Sequence, residues 1–354
     1  MMIFDRYIGL RILINTLLVL LVLLAIDVFF ALVKEFRDIG QGLYSGWYAV
    51  QYVLLTIPRR AIDLFSMSAL LGSLLALGSM VSSNELVVLR ASGVSIARIV
   101  RSVLQAGLLM FILVAVVGEW LAPFSEQLAR ENKAQAQSQQ IAYQSDHGIW
   151  VKDDKRFVNI RNLGLDGHLE DVYVYEFDDQ HKLTMVTQAA HVSYDEGQWI
   201  LEDVKFSALS DSGIHISKQD KVLWDSLLNP VLLNMLARDP DYLSARDLWA
   251  YIIYMDKNNL DSKSYQLAFW NRMVMPFSGM VMLFLAVPFV FGPLRSVGVG
   301  QRILVGVLVG VFFYVFSQMI SHISQVSGVN PIVSAFFPSL VFMLIGIWML
   351  RRAA

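Results

Sequence analysis

Glu85 and its neighbours carry the densest local chemical signal in this chain. The stretch reads Ser82-Ser83-Asn84-Glu85-Leu86-Val87-Val88-Leu89-Arg90-Ala91-Ser92-Gly93. Ser82 and Glu85 stand at capping-box spacing. Leu86, Leu89 and Val88 form an apolar stripe, and Gly93 suits a helix stop. The spacing predicts a short amphipathic helix over about residues 83–93. Such a helix is either an interfacial linker or a piece that docks in a groove on a partner. In the second case Glu85 supplies the charge and Leu86 and Leu89 the apolar contact. Four cations make a second group: Lys34, Arg37, Arg59 and Arg60. Either they anchor spans by snorkelling to the interface, or they hold an anionic ligand, since basic groups at membrane depth need a partner.

Catalytic patterns are missing. The chain has no G-x-x-x-x-G-K-S/T, no H-E-x-x-H and no G-x-S-x-G. Its six histidines, His147, His168, His181, His191, His215 and His322, show no ligand spacing, and zero cysteines exclude disulfides and thiolate chemistry. No catalytic and no metal-binding residue is expected. If the short helix docks on a partner rather than serving as a linker, an ATPase there would supply energy that this chain cannot capture alone. Two carboxylates fall inside apolar runs, Asp27 and Glu119. Glu119 is expected to sit at headgroup level or to pair with a cation such as Arg59.

The elements that must position these residues follow from hydropathy. Of 354 residues 56% are hydrophobic and 16% charged, against about 25% charged in soluble domains. A net charge of -2 argues against nucleic acid as a partner. Six apolar segments, residues 12–33, 64–81, 103–122, 273–291, 303–320 and 332–350, each approach the roughly 20 residues that cross a bilayer. The first is too long for a signal-peptide core and no cleavage site follows it. Residues 47–57 are also apolar and read as an approach helix kinked at Pro58. Lys and Arg in the short loops place both termini in the cytoplasm. The fold class is thus a membrane α-helical bundle of six transmembrane helices plus an inserted all-β domain, a sandwich, jelly roll or partly open barrel, on the opposite side, which in a Gram-negative bacterium is the periplasm. The divisions are 1–130, 131–243 and 244–354.

Within the insert, period-two runs predict strands at 148–152, 156–161, 171–177, 183–189, 199–206 and 214–218. Tyr143, Trp150, Phe157, Tyr173, Tyr175, Phe177, Trp199 and Phe206 are expected to fill its core, with an acyl-chain groove as the alternative. Ser244 with Asp247 marks a helix start, and Asp261 caps the helix entering the fourth span. Two small-residue seams, Ser68/Gly72/Ala76 and Gly306/Gly310, serve either packing within the chain or assembly with another.

Glu85-Leu86 followed by Ala91-Ser92-Gly93 resembles the coupling-helix signature of the LptF/LptG (YjgP/YjgQ) permease family. Asp5-Arg6-Tyr7-Ile8-Gly9, Gly118-Glu119-Trp120-Leu121-Ala122-Pro123 and Phe291-Gly292-Pro293-Leu294-Arg295-Ser296 resemble its LptG branch more than its LptF branch. The order of elements agrees over essentially the whole chain. The resemblance implies an ATP-driven exporter of lipopolysaccharide, in which this chain would pair with an LptF-like permease. An LptB-like ATPase dimer would bind ATP and Mg, leaving no cofactor in this chain. The β-domain would join that of an LptC-like membrane-anchored protein. The resemblance also implies subunit interfaces along the first and fifth spans, giving Gly306 and Gly310 a place there. It implies phosphate contacts near Arg37 and Arg59, with Lys34 and Arg60 beside them. Ala31 stands where the LptG branch has a lysine. Rival classes are an ABC permease for another lipid or a lipoprotein, and a non-transport scaffold whose β-domain binds a ligand.

Overall fold

Apolar runs of this length leave their backbone no partner in a bilayer except itself, so they must be helical. The computed structural model has six helices long and apolar enough to cross a membrane, as the hydropathy predicts. It describes residues 3–137, 149–153, 156–163, 169–178, 182–195, 198–210, 213–224, 243–258, 260–292 and 297–353. Tyr143, His147, His168, His181 and residues 293–296 lie outside the described residues.

The first half runs α1 (Ile3–Glu35), a 3-10 turn (Phe36–Asp38), α2 (Gly46–Ser82), α3 (Glu85–Ala91) and α4 (Ile96–Val116). A π-helical turn (Val117–Leu121) then leads without a break into α5 (Ala122–Ala136). The insert follows as β1 (Ile149–Asp153), β2 (Arg156–Leu163), β3 (Leu169–Phe177), β4 (Leu183–Asp195), β5 (Gln198–Ser210) and β6 (Gly213–Trp224). The chain returns through α6 (Ala245–Lys257), α7 (Lys263–Phe291), α8 (Val299–Ser327) and α9 (Pro331–Ala353).

Two helices outrun their apolar stretches. α4, the π turn and α5 form 41 continuous helical residues, about 60 Å at 1.5 Å per residue, against a hydrocarbon core of about 30 Å. The polar third, α5, stands beyond the apolar run and carries Glu126, Arg130 and Lys133. α2 is also one continuous helix that runs through Pro58, so the expected approach helix is its first part. Proline removes a single donor there. Neighbouring side chains supply local bonds, with Thr56 Oγ1 donating to the Val53 carbonyl (3.0 Å) and accepting from Arg60 Nε (3.0 Å).

Burial orders the bundle. α2 and α7 are the inner helices, with 72% and 67% of their most apolar windows buried, whereas α1 and α8 have 17% each. Small residues set the spacing. A Cβ at Gly72 would run into the backbone of Thr16 on α1, one at Gly306 would lie 2.5 Å from Leu71, and one at Gly310 2.9 Å from Met67. Both seams therefore pack within the chain. Gly306 and Gly310 face α2, which corrects their expected place at a subunit interface. The opposite face of α8, with Leu304, Leu308, Val311 and Phe312, is exposed.

The six predicted strands are all present and most are longer than expected. They form one antiparallel sheet in sequential order β1-β2-β3-β4-β5-β6. Its buried face carries Val158, Ile160, Val172, Val174, Ala189, Val192, Leu201 and Val204 with Trp199 and Trp224, closed by Tyr251 and Tyr254 of α6. The aromatic assignment needs correction. Trp199 is core and Phe206 packs against it. Tyr173 and Tyr175 alternate with buried Val172 and Val174, so they lie on the other face with Trp150 and Phe157, which are 53% and 40% exposed. Trp150 stacks on Tyr175 (5.5 Å) and Phe157 meets Phe177 edge-on (5.6 Å). β-branched aliphatics already fill the inner face, and period two sends their neighbours outward.

Candidate functional sites at the two ends of the bundle

At one end, α3 forms an elbow between α2 and α4. Its stop is a Schellman motif. Gly93 (φ 88°) donates to the Arg90 carbonyl (3.0 Å) and Val94 to the Leu89 carbonyl (3.1 Å). Its start differs from the expected capping box. Ser82 is the last residue of α2 and donates to the Gly78 carbonyl (3.0 Å). Asn84 occupies the N-cap position with φ 62° and makes no side-chain cap, while Ser83 Oγ donates to Glu85 (3.0 Å).

Glu85 is held by the first helix. Tyr7 donates its hydroxyl proton to Glu85 Oε2 (2.9 Å), Arg11 donates to the Tyr7 oxygen (2.5 Å), and the Arg11 guanidinium lies 3.7 Å from Glu85 Oε1. Two of the three stripe residues face inward. Leu86 is 1% exposed within the helical core and Leu89 is packed against that core. Leu86 is thus not on the surface a partner would meet. The exposed apolar residues are Val87 and Val88, 46% and 62% accessible. A seven-residue helix is too short to be stable alone, and burial of Leu86 is what seats it.

At the insert end the four predicted cations differ in their partners. Lys34, in the last turn of α1, and Arg37, in the 3-10 turn, are exposed and have no polar partner among the described residues. Arg59 lies 3.5 Å from Asp63 one turn on, and Arg60 donates to Asp27 (2.7 Å). Asp27 is therefore the partner of Arg60, joining α1 to α2. A fifth cation sits beside them. Lys133 of α5 donates to Glu35 and Asp38, both at 2.7 Å, and lies over the ring of Tyr52 at 4.9 Å. Tyr44 donates to the same Glu35 (2.8 Å). Burial, then the bond to Glu35, holds the Tyr44 hydroxyl well above its usual pKa, so it stays a donor. Sequence reading missed Lys133 by placing it in the insert. The signal was the i,i+4 pair Glu126 and Arg130, closed here at 3.0 Å, which announces that the helix continues.

Glu119 has a different task from the one expected. The wide π turn presents it to the start of α6, where its two oxygens accept the backbone N–H groups of Ala245 (3.0 Å) and Arg246 (3.1 Å). Those donors have no partner inside their own helix, and a carboxylate at a helix N-terminus is electrostatically favoured. Ser244 accepts from Asp247 N–H (3.1 Å), as its spacing predicts, and Asp261 Oδ1 accepts from Lys263 N–H (3.1 Å). Arg272 of α7 completes the joint by donating to the Leu243 and Gly118 carbonyls. Helices from both halves of the bundle thus clamp the strand-to-helix return of the insert. Among the described residues no group of histidines, cysteines and carboxylates is arranged to hold a metal.

This architecture has relatives of known name. Residues 6–352 match the family described as lipopolysaccharide export system permease LptF/LptG. The lipopolysaccharide export system permease protein LptG of Haemophilus influenzae is 36% identical over 350 residues, covering 98% of each chain. The protein of the same name from Escherichia coli K12 is 36% identical over 351 residues, again covering 98% of each. By a family match over residues 6–352 and 36% identity across 98% of its length, the chain belongs to the LptF/LptG family of permeases.

Proposed function

We propose that this chain is the LptG-type permease subunit of an ATP-driven transporter that extracts lipopolysaccharide from the inner membrane and passes it to a periplasmic bridge. The observation that supports this most is the likeness, over 98% of the chain, to permeases named for lipopolysaccharide export. In this reading the elbow and both termini are cytoplasmic, where Arg6, Arg11, Arg90, Arg98 and Arg101 gather. Glu85, flanked by exposed Val87 and Val88, meets an LptB-like ATPase dimer, which binds ATP and Mg. In this reading the ATPase, not this chain, carries out the catalysis. An LptF-like permease closes the lipid cavity against the exposed faces of α1 and α8, and an LptC-like protein meets the β-domain.

The basic rim divides the headgroup work. Lys34 and Arg37 carry charge with no partner among the described residues and take a phosphate first. Arg59 and Arg60 release Asp63 and Asp27 to join them. That exchange is cheap, because partly exposed ion pairs are worth about 0–1 kcal/mol. Purification of the chain with its co-expressed subunits, followed by mass spectrometry of bound protein and lipid, tests the reading. It predicts recovery of an ATPase and of lipopolysaccharide. Recovery of an ATPase with another lipid, or of neither, overturns it.

A further inference from the structure

We infer that Arg302 is the positioning residue that fastens α8 to the elbow, so that movement of α3 on the ATPase is handed to an outer helix of the lipid cavity. The inference rests on the permease reading above. Arg302 stands at the elbow end of α8 and is 2% exposed, one of the largest fully buried side chains. Its Nη1 donates to the Gly78 carbonyl (2.6 Å) and to Ser82 Oγ (3.0 Å). Gly78 and Ser82 form the last turn of α2, and α3 begins three residues after Ser82.

Shape and charge both fit this link. A Cβ on Gly78 would lie 2.7 Å from Arg302 Nη1 and 2.8 Å from its Cδ, so a larger residue there would force the arginine to shift. The C-terminal end of a helix favours a cation. Arg302, Gly306 and Gly310 recur every four residues and so share one face. They are the buried stripe of an otherwise exposed helix, continued by Phe313. Arg302 is the one charged residue in that stripe, and it lies at the end nearest the elbow.

A stability role is a poor explanation. Burying a guanidinium costs solvation that an apolar side chain of similar volume would not. Ser82 Oγ already donates to the Gly78 carbonyl (3.0 Å), so removing Arg302 orphans neither group. What the arginine adds is a directional connection between α8 and the turn from which the elbow hangs. Arg302→Met should therefore fold and assemble but transmit poorly.

The test uses the full complex, chain and partner subunits together, in proteoliposomes carrying lipopolysaccharide, with ATP hydrolysis and glycolipid release read from the same sample. For Arg302→Met the inference predicts near-normal hydrolysis with release per ATP lowered at least about five-fold, the low end of ordinary coupling between sites. Gly78→Ala, which displaces the guanidinium, should act in the same direction, and Arg302→Lys, with its smaller head, should fall between. The chain has no cysteine of its own, so spin labels at exposed Ser92→Cys and Gln301→Cys, outside the docking and cavity faces, report the α3–α8 distance directly. Its nucleotide-dependent change should vanish in Arg302→Met. Unchanged release per ATP, a parallel loss of hydrolysis and release, or failure of the Met complex to assemble would each overturn the inference. If the wild-type complex releases no lipopolysaccharide, it is the permease reading that fails instead.

Discussion

Several charged groups toward the insert end of the bundle are spent on joints between helices. Glu119 is the plainest case, because both its oxygens serve backbone donors of α6 rather than a ligand. Glu119→Ala orphans those donors and is expected to weaken the joint by about 1–2 kcal/mol, the usual value of a helix cap. Faster amide hydrogen exchange at Ala245 and Arg246, with the helical bundle unaffected, is the measurement that checks it. Lys133 is the second case. Lys133→Met leaves the Glu35 and Asp38 carboxylates without their shared cation, Glu35 keeping the Tyr44 hydroxyl, at a cost of about 1–3 kcal/mol. Thermal unfolding should show the loss, and the triple variant that adds Glu35→Gln and Asp38→Asn should recover part of it. The sequence singled out Glu119 and Asp27 as unusual but could not name their partners. Ala245 is 126 positions away from Glu119, a separation that spans the whole insert.

At the scale of elements, the elbow separates residues that seat it from residues that face outward. Leu86→Ala removes a fully buried side chain and is expected to cost about 2–4 kcal/mol of stability. Val88→Asp changes an exposed face and should leave unfolding unchanged while lowering the amount of ATPase that co-purifies. The opposite pattern would return Leu86 to the docking surface. The seam on α8 allows a similar distinction. Gly306→Leu overpacks against Leu71 and Leu74 and should destabilise the isolated chain by about 1–3 kcal/mol, whereas a seam between subunits would alter only assembly. Strand positions were legible because Asp-Gly and Ser-Gly turns punctuate a period-two pattern. Which face of the sheet is buried was not legible, since alternation fixes two faces without ranking them. Helix lengths were underread for a related reason. Hydropathy reports where a helix meets lipid, and α5 continues past that point on polar residues. The elbow's existence was readable from Glu85 to Gly93, but the direction of its apolar stripe depends on α2 and α4 meeting beside it.

The whole molecule is a helical bundle with a different attachment at each end. At one end α3 is held by Tyr7 and Arg11 of α1 and by the core contact of Leu86. At the other, α6 and the sheet are clamped by Glu119 and Arg272. The inner helices α2 and α7 reach both ends, while α1 and α8 present long apolar faces outward. Such a body suits a lipid cargo that is gripped between chains rather than inside one. The most direct measurement is ATP-dependent release from proteoliposomes holding the assembled complex, with lipopolysaccharide and an ordinary glycerophospholipid labelled side by side. The account predicts release of lipopolysaccharide alone, lost when Glu85→Ala prevents ATPase docking. Release of the glycerophospholipid instead, or release of lipopolysaccharide that does not depend on ATP, would contradict it.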